Sequence, residues 1–183
     1  MIVKKKYLLL ATLAGAIITL DQVVKMYVHT QFYLGETVLV IEDFFNITYV
    51  RNAGAAFGIF SESNETFRKI FFLSTPPLAI IVILSILWGV NDSDRLQTFA
   101  LSSVLGGAIG NYIDRLRFDY VIDYLDFHFK HKYTWPAFNV ADTCIVSGVI
   151  LLVIIMAKQF LEERKIMKEG PASPENKPEE AKG

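Results

Sequence analysis

"FNVADTCIVSGVILLVIIMA", Phe138 to Ala157, sets the frame for the whole chain: thirteen residues from Ile145 to Ala157 carry no charge, and Asp142 stands at their entrance. The apolar stretch from Phe138 to Phe160 approaches the roughly 20 residues that cross a hydrocarbon core as a helix. A carboxylate at the centre of such a helix costs about 2.5 to 3.5 kcal/mol, so an acid beside it calls for a functional explanation.

Three more stretches have the same character: Tyr7 to Val28, Ile70 to Val90 and Leu96 to Ile113. Of the 183 residues 52% are hydrophobic and 20% charged, with a mean hydropathy of +0.36, a balance outside the usual range of soluble domains. The expectation is an all-α membrane bundle of four transmembrane helices. The formal net charge of −1 supplies no basic footprint, which excludes nucleic acid as a partner. The single cysteine, Cys144, excludes an intramolecular disulfide and any multi-cysteine zinc site.

The first stretch also has the look of a cleavable leader, with Lys4, Lys5 and Lys6 ahead of Ala14-Gly15-Ala16, but apolar sequence runs on through Ile17, Ile18, Leu20, Val23 and Val24 and favours an uncleaved span. Four spans put both termini on one side. Lysines and arginines near the span ends number eight on that side and seven on the other, so orientation rests on the N-terminal lysine triplet and places the termini in the cytoplasm. "NDSDR", Asn91 to Arg95, suits a turn between adjacent antiparallel helices. Ser102, Gly106 and Gly110 form a stripe that admits close helix packing, and Pro76-Pro77 is expected to kink or interrupt the second helix.

Two segments fall outside, about 30–66 and 116–137. "TVLVI" and "FNITYV" in the first are β-branched and aromatic, with Phe45, Ile47 and Tyr49 alternating with Asn46 and Thr48, and predict a small β-sheet on the membrane surface. The domain reading is one membrane-embedded unit over residues 1–160 followed by a polar cytoplasmic tail, 161–183, disordered from about residue 170.

Five polar clusters sit at or between the outer ends of the spans. Asp21 and Lys25 share one helix face in the order that favours an ion pair, which reads first as a structural pair, with Gln22 beside them. "RNAGAAFG" puts Asn52, Gly54 and Gly58 after a strand, where a bare turn explains the glycines as well as a ligand does. Asn111, Asp114 and Arg115 line one polar face in "GNYIDR", also readable as a helix terminus pairing its own charges. Asp123 lies in "YVIDYLDF", too apolar for an ordinary loop, with Asp126 the solvated comparison. Asn139 and Asp142 begin the fourth helix, where an N-cap role is the plain alternative.

Asp123 and Asp142 are the acids best placed to meet. Two carboxylates sharing a site cannot both ionise readily, so one becomes a base for water and the other an acid for a carbonyl, which makes metal-free peptide hydrolysis possible. Competing sets are thin. Ser102 and Ser103 have no histidine in their span, Cys144 reads as an apolar filler, His128 and His131 read as an exposed loop, and the Asn46-Ile47-Thr48 sequon is too short to weigh. No metal or cofactor is implied. A proton or cation transporter using Asp21, Asp114, Asp123 and Asp142 is the alternative from another class, and a non-enzymatic lipopeptide receptor a third.

The combination "DQVVK", "RNAGAAFG", "GGAIGNYIDR", "VID" and "FNVAD", in this order between Tyr7 and Phe160, resembles lipoprotein signal peptidase, the type II signal peptidase of bacteria. The resemblance implies a four-helix inner-membrane aspartic endopeptidase with a β-rich outer cradle, active on the extracytoplasmic side. Such an enzyme cuts diacylglyceryl-modified prolipoproteins just before the lipidated cysteine and is a target of the cyclic peptide globomycin. It further implies Asp123 and Asp142 as the catalytic dyad. Asn52, Gly54, Asn111, Asp114, Arg115 and Asn139 would be its supporting or substrate-binding shell, with Asp21 and Lys25 structural. Membrane lipids are the expected surroundings and a monomer the expected state.

Overall fold

A computed structural model describes residues 4–54, 60, 63–129 and 133–169. Four helices, α1 (Lys5–Gln31), α2 (Glu65–Gly89), α3 (Arg95–Phe118) and α4 (Val140–Glu169), are interleaved with strands β1 (Thr37–Ile41), β2 (Phe45–Asn52), β3 (Val121–Phe129) and β4 (Tyr133–Thr134). Gly58, Lys130, His131, Lys132 and the tail from residue 170 lie outside the described residues.

Helix ends follow local chemistry. Asn64 caps α2 by accepting from the Thr66 N–H at 2.9 Å, and Asp94 caps α3 by accepting from the Gln97 N–H at 3.0 Å. Asp119, in the left-handed region at φ 61°, ends α3, with its N–H bonded to the Arg115 carbonyl. At the other end of α2 a lysine takes this role. The Lys6 ammonium donates to the carbonyls of Leu87, Trp88 and Val90 at 2.7–2.9 Å, so a cation completes the negative end of the helix. Pro76 and Pro77 lie inside α2 without interrupting it; the Ser74 and Thr75 hydroxyls donate to Ile70 and Phe71 one turn back.

Helix α3 is central and packs against α1, α2 and α4. Small residues allow it. A Cβ on Gly106 would stand 3.0 Å from Ile17 of α1, and one on Gly110 would stand 2.7 Å from the Asp21 carboxylate. One on Gly107 would run into the Ala141 carbonyl of α4, so here two backbones meet with no side chain between them. The apolar core at this level joins Ile83, Leu87 and Val90 to Leu101 and Leu105. Among the described residues α1, α2 and α4 are long and apolar enough to cross a membrane. Helix α3 falls short of that composition, because its buried face carries Thr98, Ser102, Ser103, Asn111 and Asp114, turned toward its neighbours.

The strands form an antiparallel sheet in the order β1-β2-β3-β4. The two outer strands of the sequence reading are present within 37–52, and the second outer segment adds two more. Register carries the functional consequence. Ile47 pairs with Leu125, but Val50 pairs with Asp123 and Asn52 with Val121, so β2 has one extra residue between these pairs. In continuous register Tyr49 would face Asp123 and Asn52 would turn to the opposite side of the sheet. The bulge breaks the alternation read through Tyr49 and brings Asn52 onto the face of Asp123. Tyr49 instead joins Val28, Ile122 and Tyr124 in a second core.

Candidate active site

Asp123 and Asp142 come together where β3 meets the start of α4. Val121 to Tyr124 are all buried, and Asp123 is only 2% exposed, since β2 covers one flank and Phe138 bridges to Leu125 on the other. Two amides hold its carboxylate: Asn52 Nδ2 donates at 3.0 Å and Asn139 Nδ2 at 2.8 Å. Burial, then the nearby Asp142 carboxylate, push Asp123 up to about 7; the bonds from Asn52 and Asn139 and the charge of Lys25 oppose the rise.

Asp142 is half-buried on the first turn of α4. Asn139 Oδ1 accepts from the Asp142 N–H at 2.9 Å, and Asp142 Oδ2 accepts from the Asn139 N–H at 3.2 Å, a reciprocal cap of the helix start. The N-cap alternative therefore holds, and it does not exclude the dyad, because Asp142 Oδ1 takes a further bond from Asn111 Nδ2 at 2.7 Å. Asn139 thus touches both carboxylates, one with its side chain and one with its backbone.

Behind the pair lies a buried polar network. The Lys25 ammonium reaches Asp21 at 2.8 Å, Asp114 at 3.0 Å and Asn111 Oδ1 at 2.7 Å, all fully or nearly fully enclosed. Asp21 also accepts from the Ala141 N–H at 3.0 Å, one of the free amides at the head of α4. Asp114 accepts from Gln22 Nε2 at 2.8 Å and from the Ile122 N–H at 3.0 Å. Asp114 and Arg115 do not face one way: Asp114 turns in to Lys25, while Arg115 donates to the Gly54 carbonyl at 3.1 Å and lies 4.7 Å over the Phe72 ring. The self-paired helix terminus is therefore not what forms. Gly54 is held at its other end by its N–H on Asn52 Oδ1, at 3.0 Å.

Two residues matter more in the fold than in the sequence. Gln22, there only a polar neighbour, clamps Asp114 and the Gly110 carbonyl, and the Tyr124 hydroxyl accepts from the Val140 N–H at 3.3 Å. Tyr124 follows Asp123 in β3 and so turns to the opposite face, which left no signal in the sequence for its bond to the head of α4. Asp126 is half-buried and accepts from Asn46 at 3.0 Å rather than standing in solvent. His128 is buried on β3, because that strand continues to Phe129 instead of opening into a loop. The Ser102 and Ser103 hydroxyls bond back to Thr98 and Phe99 in their own helix. Among the described residues no group of three or more His, Cys, Asp or Glu side chains is arranged to hold a metal.

Residues 13–158 match the family model of signal peptidase (SPase) II. The chain belongs to the signal peptidase II family. It is 45% identical over 160 residues to a lipoprotein signal peptidase of Syntrophus aciditrophicus, covering 87% of this chain and 99% of the relative. A lipoprotein signal peptidase of Clostridium tetani is 39% identical, covering 81% of this chain and 93% of the relative. A solved structure described as a bacterial membrane enzyme determined in meso at 2.3 Å superposes with a TM-score of 0.75 at 32% identity, covering 82% of this chain and 88% of that one. Family membership and the three apolar helices together make the protein a membrane-embedded peptidase. In this signal peptidase II chain the matched region holds Asp123, Asp142 and every residue that bonds to them.

Proposed function

We propose that this protein is an aspartic endopeptidase that removes signal peptides from diacylglyceryl-modified prolipoproteins, cutting before the lipidated cysteine, with Asp123 and Asp142 as its dyad. The observation that carries the reading is Asn139, whose side-chain amide and backbone N–H hold the two carboxylates together. Below about pH 7 Asp123 retains a proton, leaving Asp142, the more accessible of the pair, to take the proton of an attacking water. The water oxygen bonds to the scissile carbonyl carbon while Asp123 gives its proton to the carbonyl oxygen. The tetrahedral intermediate then collapses: the C–N bond breaks as the proton gained by Asp142 passes to the departing amine, and one hydroxyl proton of the intermediate returns to Asp123 as the carbonyl re-forms. Asn52, Gly54, Asn111, Asp114, Arg115 and Asn139 hold this geometry. Asp114 is wholly enclosed and serves the frame, not the substrate.

The same reading includes one peptidase domain over about residues 1–160, α3 as a fourth span shielded by its neighbours, and both termini and the polar tail in the cytoplasm. The sheet and dyad then lie outside a bacterial inner membrane, and a monomer open to globomycin-type cyclic peptides is expected. The acids Asp21, Asp114, Asp123 and Asp142 gather at one end, each within reach of donors, which weighs against a cation path.

The test is cleavage of a diacylglyceryl-modified prolipoprotein by detergent-purified protein, followed by gel shift. Product from wild type and none from Asp123→Asn or Asp142→Asn is expected. Turnover persisting in both variants removes the dyad, and lipopeptide binding without cleavage in every sample removes the peptidase.

A further inference from the structure

Asn111 is where the buried network of α1 and α3 meets the carboxylates, and its side chain has two chemically different ends. The oxygen accepts from the Lys25 ammonium at 2.7 Å and from Asn139 Nδ2 at 3.2 Å; the nitrogen donates to Asp142 Oδ1 at 2.7 Å. Turned end for end, the carboxamide would set its oxygen against the Asp142 carboxylate and its NH2 against the ammonium, a clash of like partners at both ends. Lys25 has no donor left to follow such a turn, because its remaining contacts are to Asp21 at 2.8 Å and Asp114 at 3.0 Å.

We infer that Lys25 is a positioning residue of the reaction: its ammonium fixes the Asn111 carboxamide with the N–H end toward Asp142, and so holds that carboxylate in the orientation that receives the proton of water. This rests on the peptidase reading above, and it extends the role of Lys25 beyond a structural pair with Asp21. A lysine needed only to neutralise Asp21 requires no bond to Asn111, whereas here that bond is the shortest the ammonium makes. The charged and titratable groups that face the pair are Asp21 and Lys25 from α1, Asp114 and Arg115 from α3, and Tyr124 from β3. Of these Lys25 alone reaches Asp142 through a single side chain whose direction it dictates.

The experiment uses the full chain in detergent with a diacylglyceryl-modified prolipoprotein, comparing wild type, Lys25→Met and the double variant Asp21→Asn/Lys25→Met. The double variant leaves the buried net charge unchanged, and the amide oxygen that replaces the Asp21 carboxylate still accepts from the Ala141 N–H, so it reads the proposal where the single variant fails to fold. Both are expected to lose about 10²-fold in kcat, the scale of a misplaced catalytic group, with KM unchanged. Because the charge of Lys25 opposes proton retention by Asp123, the alkaline limb of the pH–rate profile is expected to move to higher pH. Wild-type kcat and an unmoved profile in the folded double variant overturn the proposal while leaving the peptidase intact. Loss of the folded protein in both variants also overturns it, since Lys25 then serves the fold alone. Failure of wild type to cut overturns the peptidase reading instead.

Discussion

The side-chain amide of Asn139 donates to the Asp123 carboxylate at 2.8 Å, and this bond ties the head of α4 to the middle of β3. Asn139 therefore makes two separable sets of bonds, one that caps α4 and one that holds the Asp123 and Asp142 carboxylates together. Asn139→Ala loses both, with about 1 kcal/mol of the loss from the cap. Asn139→Ser keeps an oxygen for the Asp142 N–H but has no amide for Asp123. The expected result is a Tm near wild type for serine with turnover as poor as alanine; recovery of turnover by serine would separate Asn139 from the chemistry.

Asp123 gives a pH signature with a definite sign. Its folded value, about 7, lies above the ordinary 3.8, so the folded state binds this proton more tightly than the unfolded chain does. The stabilisation is fully present below pH 3.8 and is lost as pH rises through about 7. Asp123→Asn carries a permanent neutral group in its place. The difference in Tm, variant minus wild type, should grow as pH rises from the ordinary 3.8 through about 7, and a flat difference would mean that Asp123 is ionised throughout. Turnover that depends on Asp123 as an acid should decline over the same window.

Gly107 and Gly110 should respond differently to a methyl group. At Gly110 the new Cβ meets a carboxylate 2.7 Å away, on a side chain able to shift at the expense of the bond from Asp21 to Ala141. At Gly107 it meets the Ala141 carbonyl, which moves only with the backbone of α4. Overpacking costs about 1 to 3 kcal/mol, and Gly107→Ala should lie at the upper end, read as the larger fall in Tm in detergent. Gly110→Ala should lose activity out of proportion to its stability, because the Asp21 contact to α4 is next to the dyad.

Lys6 provides a control at the opposite end of the molecule. Lys6→Met leaves three carbonyls at the end of α2 without their cation, and a buried polar group stripped of its partner costs about 1 to 3 kcal/mol. The end of α2 packs against Tyr7 and Leu10 of α1, Leu101 and Leu105 of α3 and Leu152 of α4, none of which bonds to Asp123 or Asp142, so the expected outcome is a lower Tm with kcat unchanged at temperatures where the protein stays folded. A fall in kcat there would show that the seating of α2 reaches the dyad.

The family motifs and the apolar runs were legible because they are local. Length and hydropathy define a span, and "DQVVK", "GNYIDR", "VID" and "FNVAD" are short strings whose residue types survive any arrangement in space. Membrane character, helix positions, two strands and the choice of Asp123 with Asp142 as the acids to test could all be read from the order of residues. Three features needed the folded chain. The bulge in β2 placed Asn52 on the face of Asp123, and a strand register is set by long-range pairing, not by the alternation of one segment. The opposite directions of Asp114 and Arg115 followed from which partner each met, Asp114 finding Lys25 and Arg115 finding Gly54. The bond from Lys25 to Asn111 joins residues 86 positions apart, and no spacing rule reports a hydrogen bond that exists only once α1 and α3 pack at the distance their small residues allow.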